Sequence, residues 1–270
     1  MTSVFRELKK HLQIYMLFVK FSVMAQMEYR SNFVGNLAME TGYLFVKLSY
    51  VVVVYRAGVT INGLKPDEIL LFIGTFVMLT GVYAGLYMIN NFTFRSKIVT
   101  GDLDVLLTKP VSLQFMATLR QADLTLFGVD VIAGLILVVL AWSRLALPLT
   151  LATVGGYLVF VGISCVVGYC LFFLPQIFSF WMMNTSAIAE ITDSLWDINS
   201  MPMGIYTDGV RFVGVFVLPV FVITNFPPLV ALGKMPVPYG LWSLVLPFAL
   251  LFVVRTLWSR GLKRYSSASS

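Results

Sequence analysis

Charged residues are scarce in this sequence, and their scarcity excludes an ordinary soluble domain. Asp, Glu, Lys and Arg make up 12% of the 270 residues, whereas soluble domains carry roughly 25%. Hydrophobic residues reach 59%, and the mean hydropathy is +0.87. Because one membrane-spanning helix uses ~20 residues, six spans and their connectors would use nearly the whole chain. The composition therefore predicts a membrane protein without a separate soluble domain.

Histidine and cysteine are also rare, which argues against most catalytic and metal centres. His11 is the single histidine, so a Ser-His-Asp set has no support. Cys165 and Cys170 lie five residues apart in an apolar run, a spacing that places them on different faces of a helix. The phosphate-binding pattern G-x-x-x-x-G-K-[ST] does not occur. We therefore expect no catalytic residue, disulfide, metal or cofactor on this chain.

The basic residues indicate a membrane topology and argue against nucleic-acid binding. The net charge is +6, but the basic residues lie beside apolar runs and form no continuous basic stripe, so we expect no nucleic-acid partner. If the N-terminus is inside, 13 of the 19 Lys and Arg residues, Arg211 among them, fall on the inner side and four on the outer side. This asymmetry predicts that both termini are cytoplasmic.

The N-terminal region, residues 1–30, has the pattern of an amphipathic helix at the membrane interface. Its apolar residues recur at three- and four-residue steps, with most basic residues elsewhere. Basic residues interrupt any compact apolar core, and no small-residue cleavage site follows, so a cleaved signal peptide is not expected.

Residues 31–260 are predicted to form an all-α membrane domain with six transmembrane helices. The predicted crossings lie at about 32–55, 69–94, 121–142, 151–174, 210–226 and 240–258. Residues 182–208 mix acidic and apolar residues and are predicted to be an interfacial or cytoplasmic connector. Four prolines in 225–240 forbid a continuous helix there and predict a looped or re-entrant segment. Residues 261–270 are basic and serine-rich, and they are predicted to be a cytoplasmic tail.

Four charged residues fall within the predicted spans: Glu40, Lys47, Asp123 and Asp130. Charges at a helix centre cost ~2.5–3.5 kcal/mol on insertion scales, so they usually face protein or a water-filled path. Lys47 and Asp130 have similar predicted depths, which predicts an ion pair between them. Glu40 is predicted to lie near Arg120 or Asp123. The sequence does not decide between interhelical pairing and a substrate-lining role for these charges.

The stretch "SKIVTGDLDVLLTKPVS", residues 96–112, is polar although its neighbours are apolar. Gly101 is predicted to end one helix in the left-handed conformation, and Asp102 to cap the next. Leu103, Leu106 and Leu107 fall on one face before Pro110. This pattern predicts a short amphipathic helix, which by spacing alone could also be a simple connection between two crossings.

The segment "IVTGDLDVLLTKPVS" resembles a signature of the integral-membrane subunits of ABC-2-type exporters. The similarity extends to "FVLPVFVITNFPPLVALG" and "LWSRGLKRYSSAS", so it covers most of the chain in order. It identifies a family and leaves the substrate open.

The resemblance implies a permease subunit of an ATP-binding cassette exporter that moves a small or amphiphilic substrate across a bacterial inner membrane. Residues 101–110 would then form a coupling helix that docks in a separate ATP-binding subunit. That subunit would hold ATP and Mg, and a second permease, identical or homologous, would complete the transporter. The resemblance implies that the apolar docking face consists of Leu103, Leu106 and Leu107. Its polar rim would consist of Asp102, Asp104 and Lys109, and Gly101 and Pro110 would bound the ATPase-coupling helix.

Two other functions remain open from the sequence. One is an ion-coupled secondary transporter that uses Lys47, Asp123 and Asp130 as a relay. The other is a structural membrane subunit that transports nothing.

Overall fold

The computed structural model describes residues 2–28, 30–57, 63–182 and 186–265, and these ranges contain helices and no β-strand. Their α-helices are α1 (Thr2–Glu28), α2 (Arg30–Ala57), α3 (Pro66–Tyr83), α4 (Ile89–Val99), α5 (Asp102–Leu107), α6 (Leu113–Leu119), α7 (Leu124–Arg144), α8 (Leu151–Ile177), α9 (Ser186–Ile198), α10 (Asp208–Phe212), α11 (Val220–Ala231) and α12 (Val237–Arg264).

Helices α3 and α7 approach so closely that glycine is required at their contact. A Cβ atom added at Gly74 would lie 2.8 Å from the backbone N of Val138, and one at Gly81 would lie 2.8 Å from Cβ of Asp130. A Cβ at Gly134 would overlap the backbone of Met78. Small residues allow such close backbone approach in membrane bundles.

A π-helical turn, Ala84–Met88, joins α3 to α4 and makes one long helix. This turn anchors the start of α7, because the backbone N–H of Asp123 donates to the carbonyl of Gly85 at 2.7 Å. Single π turns inside α-helices occur frequently at functional sites. Here the turn connects the membrane bundle to the segment that follows α6.

The prediction of six crossings is only partly met. By length and composition, four helical segments of the described residues can cross a membrane: Pro66–Val99, Leu124–Arg144, Leu151–Phe180 and Val237–Arg264. The pair Asp208–Val217 and Val220–Ala231 is a fifth candidate if it forms one span, but its two halves meet at 99°. Helix α2, the predicted first crossing, is not among these candidates.

The predicted fifth crossing at 210–226 is wrong as a continuous helix. The backbone bends between the two halves next to Pro219, where a proline cannot donate a backbone hydrogen bond. Beyond the bend, α11 packs on α8: Ile223 faces Gly168 and Val230 faces Gly156. Pro227 and Pro228, predicted to lie in a loop, are inside α11.

Helix α9 also differs from the sequence-based expectation. Residues 182–208 were predicted to be an interfacial or cytoplasmic connector, but the ring of Trp196 stacks on that of Tyr83 from α3, with 4.4 Å between the ring centroids. The ring of Trp196 also packs against that of Phe172 on α8, with 5.2 Å between the ring centroids. The carbonyl of Asn199, just beyond α9, accepts a hydrogen bond from Thr224 of α11. The end of α9 therefore lies among the bundle helices.

The bundle has two polar ends. We call the end that carries α5 the α5 end, and the end that carries the α7–α8 connection the opposite end. At the opposite end, Lys234 Nζ lies 2.8 and 2.7 Å from the two oxygens of Glu68. Arg211 lines a cavity of about 200 Å³ with these two residues. Arg211 was predicted on the inner side with α5, and this assignment is wrong.

Candidate functional site

The α5 segment begins with the turn that the sequence predicted. Gly101 has φ +79°, the left-handed conformation that glycine adopts without strain. Gly101, and not Asp102, is the residue that precedes the first turn of α5. The carboxylate of Asp102 instead accepts a hydrogen bond from the hydroxyl of Thr100 at 2.8 Å. This pair braces the turn between α4 and α5.

The three leucines predicted as one docking face are divided between the core and the surface. Leu103 and Leu106 are 0% and 4% exposed, and they pack in the aromatic and aliphatic core around Phe94. Leu107 is 46% exposed and Val105 is 58% exposed. Leu103 and Leu106 therefore hold α5 on the bundle, and the apolar side chains open to a partner are those of Val105 and Leu107.

The polar residues predicted around the docking face are mostly at the surface. Asp102, Lys109 and Pro110 are exposed, and Asp104 is half-buried. Burial raises the pKa of Tyr265, and the neighbouring carboxylate of Asp104 raises it further. The end of α12 thus reaches α5.

Hydrogen bonds from α1 and α4 fix the segment between α6 and α7. The side chain of Asn90, 0% exposed, donates to the carbonyl of Gln121 at 2.7 Å and accepts from its N–H at 3.0 Å. Ser22 accepts from the N–H of Ala122 at 3.1 Å, and Gln26 donates to the carbonyl of Ala122 at 3.1 Å. The sequence analysis missed Asn90, although a polar residue in a long uncharged run is an indication of such a role.

Helix α1 also packs on the connection that follows α5. Lys10 Nζ donates to the carbonyl of Pro110 at 3.2 Å. The ring of Phe115 on α6 packs against the rings of His11 and Phe18, with 5.0 and 5.9 Å between the ring centroids. Contacts with α1 and with the bundle hold the α5 end from two sides. A displacement of α5 would therefore also move α1.

The predicted ion pair between Lys47 and Asp130 is confirmed. Lys47 Nζ of α2 lies 2.7 Å from Asp130 Oδ2 of α7, and Asp130 is 1% exposed. Glu40 is not near Arg120 or Asp123 as predicted. Its carboxylate instead lies 3.7 Å from the same Lys47 Nζ, because residues seven positions apart share a helix face. Two carboxylates and one ammonium group thus meet between α2 and α7.

Asp123 does not belong to this cluster. Its side chain caps the start of α7 by accepting hydrogen bonds from the N–H groups of Thr125 at 2.9 Å and Leu126 at 3.2 Å. Such caps satisfy backbone donors that a helix start leaves unpaired. Asp123 therefore has a local structural role, and no group of three or more metal-ligating side chains occurs in the described part of the chain.

A scan against protein families matches residues 41–269 to the ABC-2 family transporter proteins. The chain belongs to this family. No curated protein and no solved structure matches it. Membership of the ABC-2 family makes the chain a membrane transport component that is not itself catalytic. The match includes α5 and both partners of the Lys47–Asp130 pair, whereas α1 and Glu40 precede it.

Proposed function

We propose that the chain is the membrane-spanning permease subunit of an ATP-binding cassette exporter for a small or amphiphilic substrate. ATP and Mg bind to a separate ATPase subunit, and a second permease, identical or homologous, completes the transporter. In this proposal α2 is a further crossing and both termini lie in the cytoplasm of a bacterium. The family does not favour the ion-coupled alternative.

The observation that carries the proposal is that α5 has one apolar side buried in the bundle and another apolar side exposed at the surface. Its inner side chains, Leu103 and Leu106, are buried, and its outer side chains, Val105 and Leu107, are exposed. Apolar residues with a charged surround are typical of the centre and rim of a protein interface. Asp102 and Lys109 supply that surround.

The mechanism follows from how firmly α5 is attached. A push on its exposed face is transmitted through Leu103 and Leu106 to the core around Phe94, and through Thr100 to the end of α4. Because α4 continues through the π turn into α3, ATP-driven movement at the α5 end would reach the bundle as a helix shift.

Val105→Asp combined with Leu107→Asp tests the proposal. We expect loss of co-purification with the ATPase and loss of ATP-dependent transport in vesicles, because charges replace the centre of the interface. Central interface residues contribute about 2 kcal/mol or more, equivalent to about thirtyfold in affinity. The permease itself should still insert and fold, since both side chains are at the surface.

Leu149→Asp is the matched control, because Leu149 is 83% exposed at the opposite end of the bundle. This variant should keep both ATPase binding and transport. Unchanged ATPase binding in the α5 variant would contradict the coupling role, and transport that needs an ion gradient but no ATP would contradict the function as a whole.

A further inference from the structure

Arg255 occupies an unusual position on α12. It is exposed and shares its helix face with Phe248 and Phe252, which are 74% and 73% exposed. Large apolar side chains this exposed on a candidate span are suited to contact with lipid. A cation on a lipid-facing surface is expensive unless it finds a partner. No acidic side chain of the described residues lies within 4.0 Å of Arg255.

A cavity of about 470 Å³ has Arg255 in its wall. Arg255, Lys263, Ser112 and Ser259 contribute to its walls, and none of its lining residues is acidic. Its charge is therefore complementary to an anion. The cavity lies near the α5 end, where α12 finishes.

A second, apolar cavity of about 480 Å³ includes Leu251 of α12, which lies one helical turn from Arg255. It is lined by side chains of α1, α6, α8 and α12, including Leu12, Cys165 and Leu251. Leu12 and Leu251 are 61% and 41% exposed, so the cavity opens at the protein surface. Gln114 links the two cavities, because it donates to Tyr169 at 3.2 Å and accepts from Arg255 at 3.1 Å.

We propose that these two cavities bind one anionic phospholipid of the bilayer, with its phosphate at Arg255 and Lys263 and an acyl chain beside Leu251. At ~1.5 Å per residue, Leu251 lies about 6 Å deeper along α12 than Arg255, and Lys263 about 12 Å closer to the helix end. The order from apolar to basic matches a lipid whose chain points to the bilayer centre. The bound lipid neutralises Arg255 and joins α1 to the bundle.

Native mass spectrometry of the purified full chain with added phosphatidylglycerol or phosphatidylcholine of identical acyl chains tests this site. We expect one tightly retained phosphatidylglycerol and weaker retention of phosphatidylcholine. Arg255→Gln with Lys263→Gln should lower retention about 25-fold, since each basic residue near anionic lipid contributes about fivefold. Leu251→Trp should also lower it, by filling the apolar cavity with both charges intact.

Arg260→Gln is the control, because it removes one charge from the same helix at an exposed position outside both cavities. It should retain the lipid within about twofold. Equal retention of the two lipids by the unaltered chain would overturn the proposal. An effect of Arg260→Gln as large as that of the paired variant would show that lipid retention depends on general surface charge and not on this site. Full retention by Leu251→Trp would exclude the acyl-chain cavity. Protection of Arg255 by a protein partner in the absence of lipid would overturn the proposal, because that partner and not a lipid would then occupy the site.

Discussion

Lys47→Met is the sharpest test of the bundle, because it removes the cation that lies between two carboxylates. Asp130 is almost fully buried and would lose its 2.7 Å partner. Glu40 would lose its 3.7 Å partner in the same step. An unpaired buried charge is the dominant penalty when one member of a buried pair is removed.

The structure sets the expected size of the effect. Breaking a buried pair lowers the free energy of unfolding by about 3–5 kcal/mol. We expect Lys47→Met to lower it by about 3 kcal/mol, the lower end of this range, because the Lys47 side chain is 23% exposed. Asp130→Leu should cost less, about 1–2 kcal/mol, because Glu40 still faces the lysine. Lys47→Met leaves both carboxylates unpaired, whereas the double variant leaves only Glu40 unpaired, so we expect a coupling energy of about 2 kcal/mol.

The assay is equilibrium unfolding of the four proteins of this double-mutant cycle in mixed detergent micelles. Lys20→Met is the matched control, because Lys20 is exposed on α1, and it should stay within about 0.5 kcal/mol. Additive losses in the cycle would refute the pairing and would favour separate roles for Lys47 and Asp130 along a substrate path.

The remaining predictions concern topology and helix contact. In a background without Cys165 and Cys170, a cysteine at Leu149 should react with an impermeant maleimide added outside cells, and one at Lys109 should not; the reverse pattern would invert the orientation. Gly134→Ala should lower stability strongly, because its added Cβ overlaps the backbone of Met78, whereas Gly128→Ala on the same helix meets no atom within 4 Å. Equal stability of these two glycine variants would contradict the close α3–α7 approach.

Local features were predictable where one helix or turn decides them. Hydropathy identified the long helices α7, α8 and α12 with small errors at their ends. The left-handed turn at Gly101 followed from the glycine between two helical patterns. The Lys47–Asp130 pair was predictable because each residue's depth follows from the helical rise, and a buried charge has few acceptable partners.

Features that depend on the relative placement of helices were not predictable in the same way. The closest approach of two helices uses Gly74, Gly81 and Gly134 between α3 and α7, which the sequence analysis did not single out. The position of Trp196 within the bundle depends on rings from α3 and α8. A single sequence contains no direct measure of such distances.

The sequence by itself determined a helical membrane protein with a short polar helix between two long apolar ones, because composition and periodicity act within each segment. The tertiary structure alone decided which leucines of α5 face the core, since Leu106 and Leu107 are equally apolar and only the position of Phe94 and its neighbours buries the first. It also decided that Arg255 lines a cavity, because that cavity forms only where the start of α6 meets α12.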